Sequence, residues 1–224
     1  MESNQPAAAL SVLVFLATAG LAAAGSLYAA WRAIRSDGAG AGRSLGAVCL
    51  LLAAYGAALG IGGMIGRQRI IPAGGEKYFC ELDCHLAYGV TRADLAGATE
   101  DGKERLWAVA LKTRFDEKTI SPRRPLDAPT WPAPRQVALI DESGRRYTPQ
   151  AGQDSLAGPH AAVSVPLDQP LRPGEFYETT LVFRLPPDAV PARLLLQDDL
   201  FISQLLIGNE RSPFHRPVFL ELPG

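Results

Sequence analysis

The chain has 224 residues, 22 Lys and Arg against 23 Asp and Glu, and a formal net charge of −1. That length allows one large domain, or a smaller domain with an appendage. The near-neutral charge gives no electrostatic reason to expect a nucleic-acid partner, which needs clustered Lys and Arg, and no solenoid repeat of about 20–50 residues is visible.

The first third is rich in Ala, Leu and Gly. From Ala7 to Tyr28 there is no charged residue. A run of that kind is long enough to cross a hydrocarbon core of about 30 Å. Tyr28 and Trp31 stand at its end, where amphipathic aromatics favour the lipid boundary. A second uncharged run extends from Ser44 to Gly66. The reading is two transmembrane helices, at about residues 7–30 and 44–66, within a membrane anchor over residues 1–70. A cleaved signal peptide would carry a positive segment first; Met1 to Pro6 hold no Lys or Arg, so a retained helix is expected.

Arg32, Arg35 and Arg43 lie between the two runs. Positively charged short loops stay in the cytoplasm, which sends both chain ends outward. Arg67, Arg69 and Lys77 follow the second run and narrow the margin. The second helix contains Gly56-x-x-x-Gly60 and Gly62-x-x-x-Gly66. Small residues four apart let helices approach closely. They fit contact with another envelope protein or a second copy, packing of the chain's own helices, or an Ala/Gly-rich composition. Cys49, in this helix, reads as a small apolar filler.

Tyr78 to Val90 alternates, with Tyr78, Cys80, Leu82, Cys84, Leu86, Tyr88 and Val90 on one side and Glu81, Asp83 and His85 on the other. That period of two predicts one long half-buried strand. Arg92 to Glu104 reads as a polar loop. Leu106–Phe115 is a strand with Trp107, Val109, Leu111, Thr113 and Phe115 on one face. The stretch from Asp116 to Arg135 holds five prolines and is no central strand; its Trp131 is expected to fold back over the sheet edge. Gln136–Asp141 and Arg145–Thr148 form a hairpin, Gly144 supplying positive φ. Pro166–Leu171 reads as a short edge strand and Arg172–Glu175 as a turn. Glu175–Leu185, Arg193–Gln197, Phe201–Ile207 and Pro217–Leu222 are the remaining strands. This pattern, without a helix, argues for an antiparallel β-sandwich over residues 75–224.

Leu171-Arg-Pro-Gly-Glu175, Thr180-Leu-Val-Phe-Arg-Leu-Pro186 and Leu206-Ile-Gly-Asn-Glu-Arg-Ser-Pro-Phe-His215 resemble the telokin-like, immunoglobulin-like extracellular domains of unknown function in bacterial envelope proteins. The resemblance covers roughly Glu76 to Leu222. It implies an immunoglobulin-like fold outside the inner membrane, in the periplasm, and no particular activity.

Cys80-Glu-Leu-Asp-Cys84-His85 has four readings. A disulfide between Cys80 and Cys84 suits an oxidising compartment. In an unbroken strand their Cα atoms would be about 13 Å apart, whereas a disulfide needs about 7 Å, so the chain must bend. Two thiolates and an imidazole suit copper(I) or zinc, and the spacing looks like the motif of copper-delivery thioredoxin-fold proteins. His160 or His215 could complete such a site. Covalent haem attachment uses Cys-x-x-Cys-His, one residue shorter. Finally, the cysteines can be buried thiols behind an acidic outer face that includes His85. No hydrolase, phosphate-loop or zinc-protease motif occurs. The sequence thus predicts a non-enzymatic binding or assembly module whose first partner is the lipid bilayer. Redox or metal handling through Cys80, Cys84 and His85 is the alternative.

Overall fold

The computed structural model describes residues 5–79, 85–99, 101–119, 125, 127–133, 135–150 and 165–223. They fall into two compact units: Met1–Arg67 with Phe201–Arg216, and Gln68–Leu200 with Pro217–Gly224.

The first unit is built on α1 (Gln5–Ile34) and α2 (Gly38–Ile65). The turn between them is shorter than the sequence suggested, because Arg32 and Arg43 are helical. Ser36 takes φ 62° and ends α1. Asp37 caps α2 by accepting from the Gly40 amide at 2.8 Å and pairs with Arg32. Gly25 lets the helices approach: a Cβ there would stand 2.6 Å from Val48 Cγ2. Away from this seam the apolar side chains point outward. Leu13 is 63%, Leu50 72% and Met64 66% exposed.

Against the last three turns of α2 lies Phe201–Arg216. It opens with a 3-10 helix, Phe201–Leu205, where the sequence predicted a strand. A Cβ on Gly62 would meet Ile207 at 2.9 Å, and one on Gly63 or Gly66 would collide with Pro213 or His215. These glycines therefore cradle the chain's own segment, whereas Gly56 has no neighbour within 4 Å of an added Cβ. The Tyr55 hydroxyl donates to the Leu205 carbonyl at 2.5 Å.

The second unit has nine strands, β1 (Arg69–Ile71), β2 (Lys77–Tyr78), β3 (Leu86–Ala98), β4 (Arg105–Phe115), β5 (Arg135–Asp141), β6 (Arg146–Tyr147), β7 (Phe176–Leu185), β8 (Pro191–Asp198) and β9 (Val218–Glu221), among the described residues. One sheet runs β1-β9-β8-β5-β6 and the other β2-β3-β4-β7. β1 joins β9 in parallel, and the other pairs are antiparallel. β1 begins inside the stretch assigned by sequence to the anchor. The core draws on both sheets, with Tyr88, Leu111, Phe115 and Phe183 meeting Leu139, Leu194, Leu196 and Leu220. Fully burying one such side chain stabilises by about 1.5–3 kcal/mol.

β4, the β5–β6 hairpin and β7 follow the sequence pattern. Gly144 has φ 85°, as the hairpin needs. Buried Asp141 fastens that hairpin, accepting from Ser143 Oγ, the Arg145 amide and side chain, and Tyr147. The expected polar loop at Arg92–Glu104 is instead mostly β3. Its register to β4 shifts between Val90 and Arg92 and again between Leu95 and Gly97. Each extra residue flips the alternation, which hides the strand from a search for period two. Pro166–Leu171 contributes a single bridge, Leu171 to Thr130. Trp131, expected to fold back over the sheet edge, stands 67% exposed.

Candidate functional site at the β2–β3 turn

β2 pairs with β3 antiparallel, Lys77 opposite Tyr88 and Tyr78 opposite Ala87. The chain therefore reverses between Tyr78 and Ala87, and the single strand expected over Tyr78–Val90 is two strands. Leu86, Tyr88 and Val90 do face the core. The opposite face is covered too: Ala87 is buried, and a Cβ on Gly89 would stand 3.1 Å from the Gly75 carbonyl. Small residues alternating with large ones were the available signal that another segment crosses this face.

Cys80 and Cys84, with the three residues between them, lie outside the described residues. His85 is described and is buried, which corrects its expected place on an outer face. Its ring stacks on Phe115 with centroids 5.1 Å apart and planes 16° from parallel. His85 Nδ1 is 2.6 Å from Thr119 Oγ1. The Thr119 hydroxyl donates its one hydrogen to the Asp116 carbonyl at 2.7 Å. Thr119 Oγ1 then accepts, which puts a proton on His85 Nδ1.

Two polar groups flank this turn. In the first, Arg114 grips Glu76 with both branches, Nε to Oε1 at 3.0 Å and Nη2 to Oε2 at 2.6 Å. Tyr78 donates to Asp116 at 2.7 Å. The Arg114 hydrogen bonds hold the Glu76 carboxyl below its ordinary range. Burial pushes the Asp116 carboxyl up, but Tyr78, the Lys118 amide and Arg114 together bring it below that range. Burial and then Asp116 push the Tyr78 phenol far up.

In the second group, two cations lie against Phe79: Arg135 Cζ at 3.9 Å and Lys77 Nζ at 4.8 Å from the ring centroid. Arg135 Nη1 is 3.7 Å from Asp198 Oδ1, both side chains almost wholly buried. Lys77 Nζ donates to the Leu196 carbonyl at 2.5 Å. Phe79 meets Tyr88 edge-on at 5.5 Å. Among the described residues the buried Tyr88 hydroxyl and Arg135 Nε have no hydrogen-bond partner of good geometry; burial raises the Tyr88 phenol, and the nearby Arg135 guanidinium works against that rise. The sequence brings none of Lys77, Arg135 and Asp198 together: Lys77 counts only as a charge after the second run, and Asp198, expected in a solvated acidic pair with Asp199, is buried. The one signal was a charged residue beginning or ending an apolar strand.

His160 lies outside the described residues, and His215 belongs to the helical unit, its Nδ1 2.8 Å from the Arg216 carbonyl. Cys49 is an exposed free thiol on α2. Among the described residues no three His, Cys, Asp or Glu side chains are placed to hold a metal.

No family model matches the sequence, and no curated protein matches it. A crystal structure of a conserved hypothetical protein from Bacillus anthracis shares 17% identity, spanning 55% of this chain and 90% of that one, with a TM-score of 0.34. A likeness of that size transfers neither a fold nor a function.

Proposed function

We propose that this protein is a two-pass inner-membrane protein that presents an immunoglobulin-like β-sandwich outside the cytoplasm as a non-enzymatic binding or assembly module. The observation that carries the reading is the outward-facing apolar surface of α1 and α2. A helix from a soluble core buries such side chains; these helices expose Leu13, Leu50 and Met64 while being 30 and 28 residues long. Lipid is the solvent that accepts that arrangement. The arginines at the α1–α2 turn favour a cytoplasmic turn. Arg35 lies over Trp31 at 4.4 Å, as expected where an aromatic belt meets a charged loop. Two sheets sharing one core support the sandwich. Glycines with open surroundings, such as Gly56, leave a small-residue face for another envelope protein or a second copy. Fusing alkaline phosphatase to the C-terminus tests the topology: an active fusion is expected, and an inactive fusion with a fluorescent cytoplasmic reporter would reverse the orientation.

A second reading, redox or copper/zinc handling by Cys80, Cys84 and His85, draws support from the chain reversal. The 13 Å separation of an unbroken strand no longer stands against it. His85 Nδ1 is held by Thr119 at 2.6 Å, the kind of outer partner that orients a metal-ligating imidazole. Metal analysis and thiol counting on the purified protein decide it. A bound metal lost in C80S/C84S supports metal handling; a protein without metal and unchanged by that double substitution removes it.

A further inference from the structure

We infer that Phe201–Arg216, which enters the sequence between β8 and β9, is itself a membrane element: a foot that lies along α2 and seats Phe201, Ile202 and Phe214 in lipid. The inference rests on the membrane-spanning reading of α1 and α2. Three observations carry it.

The first is depth. At about 1.5 Å per residue the 28 residues of α2 extend about 42 Å, some 12 Å more than a hydrocarbon core of about 30 Å. Tyr55 stands ten residues before Ile65, the last residue of α2, or about 15 Å along the axis. Helical side chains lean toward the N-terminus, so the Tyr55 hydroxyl reaches further from the Ile65 end. Its bond to the Leu205 carbonyl thus places the Leu205 end of the foot inside the hydrocarbon even when all the excess length projects at that end; Phe214, beside Gly60 and about 7.5 Å from Ile65, lies inside it when the excess is shared between the two ends.

The second is backbone satisfaction. Irregular chain near hydrocarbon must satisfy its own polar groups. The foot satisfies part of its backbone with successive turns, the amides of Leu206, Asn209, Ser212 and His215 donating to the carbonyls of Ser203, Leu206, Asn209 and Ser212. Asn209 Oδ1 also accepts the Arg211 amide, and Ser212 Oγ donates to the Asn209 carbonyl.

The third is what the foot exposes. Phe201 is 72%, Phe214 73% and Ile202 45% exposed, and the Phe214 ring lies beside Gly60 of α2, 3.9 Å from where a Cβ there would stand. Phe214 holds this position at φ 66°, a left-handed conformation that a bulky side chain adopts at a cost. A strained aromatic presented to water would gain nothing, whereas burial of an aromatic in the lipid boundary offsets the strain. Exposed Arg67 and Arg216 sit at the same end of α2, suited to lipid phosphates.

The test is fluorine NMR of the full chain in phosphatidylcholine–phosphatidylglycerol nanodiscs. Para-trifluoromethyl-phenylalanine replaces Phe201, Phe214 or Phe15 singly, the last serving as the reference inside α1. Relaxation by dissolved oxygen, which concentrates in lipid, is compared with relaxation by a water-soluble nickel chelate. At Phe201 and Phe214 oxygen is expected to dominate, as at Phe15. Chelate-dominated relaxation at Phe201 or Phe214, with oxygen still dominant at Phe15, overturns the foot and leaves the helices in the membrane. Chelate dominance at Phe15 overturns the membrane-spanning reading and the foot with it.

Discussion

At the scale of single residues, the molecule separates charges that organise turns from charges that occupy the core. Glu76, Arg114, Tyr78 and Asp116 form one connected network at the β2–β3 turn. Both carboxyls titrate below their ordinary range. A carboxyl depressed in the folded state contributes stability that is present above its unfolded pKa and is lost as pH falls through the folded one. Stability in urea is therefore expected to hold steady down to about pH 5 and to decline below about pH 4, where unfolded carboxylates take up protons. Replacing Arg114 by Met lowers the neutral-pH midpoint and flattens that acid decline. A decline equally steep in the variant would mean that other carboxyls, Asp141 first among them, set it. Sequence reading singled out none of these four residues as a network, since Glu76 and Arg114 are 38 positions apart.

At the scale of elements, the glycines of α2 divide into two kinds. Gly62, Gly63 and Gly66 admit the Phe201–Arg216 foot, and Gly56 faces open space. Gly63→Leu is expected to displace the foot, because its Cβ alone would collide with the Pro213 backbone, which cannot swing away as a flexible side chain would. Limited proteolysis then cuts within residues 201–216 at least tenfold faster, an effect of about 1.4 kcal/mol on local opening. Gly56→Leu leaves that cleavage rate unchanged. Equal rates in Gly63→Leu and the parent would mean the foot does not depend on the cradle. A glycine pattern in sequence announces that something approaches closely, but not whether it is a second copy, a partner or the same chain. Likewise Phe201–Ile207 carries strand-forming residues, yet Phe201–Leu205 forms a 3-10 helix, and the stretch meets α2 through Tyr55 at Leu205 and Gly62 at Ile207.

At the scale of the whole molecule, the sheet core is contained within the second unit. Its large side chains come from β3, β4, β5, β7, β8 and β9. A fragment spanning residues 68–224 is expected to melt cooperatively while its 201–216 stretch, deprived of α2, becomes protease-sensitive. In that fragment Phe183→Ala, at a fully buried position, costs about 3–5 kcal/mol by loss of contacts and the cavity left behind. A broad, non-cooperative melt of the unsubstituted fragment would show that the helical unit is needed for the sheets to form.

Local sequence was sufficient for the two apolar helices, through the length of their uncharged runs, for β4 and β7, through a period of two, and for the β5–β6 hairpin, through Gly144, because in each the signal lies within one element. His85 was legible as a candidate but not as a buried one, since its surroundings come from Phe115 and Thr119. The reversal between β2 and β3, the two bulges of β3, the buried pair Arg135 and Asp198 and the seat of the foot on α2 were decided by tertiary structure. Each depends on residues far apart in the chain, Lys77 with Leu196, Tyr55 with Leu205, Arg135 with Asp198. A period of two or of 3.6 reports which face of an element is covered; it carries no record of which distant segment covers it.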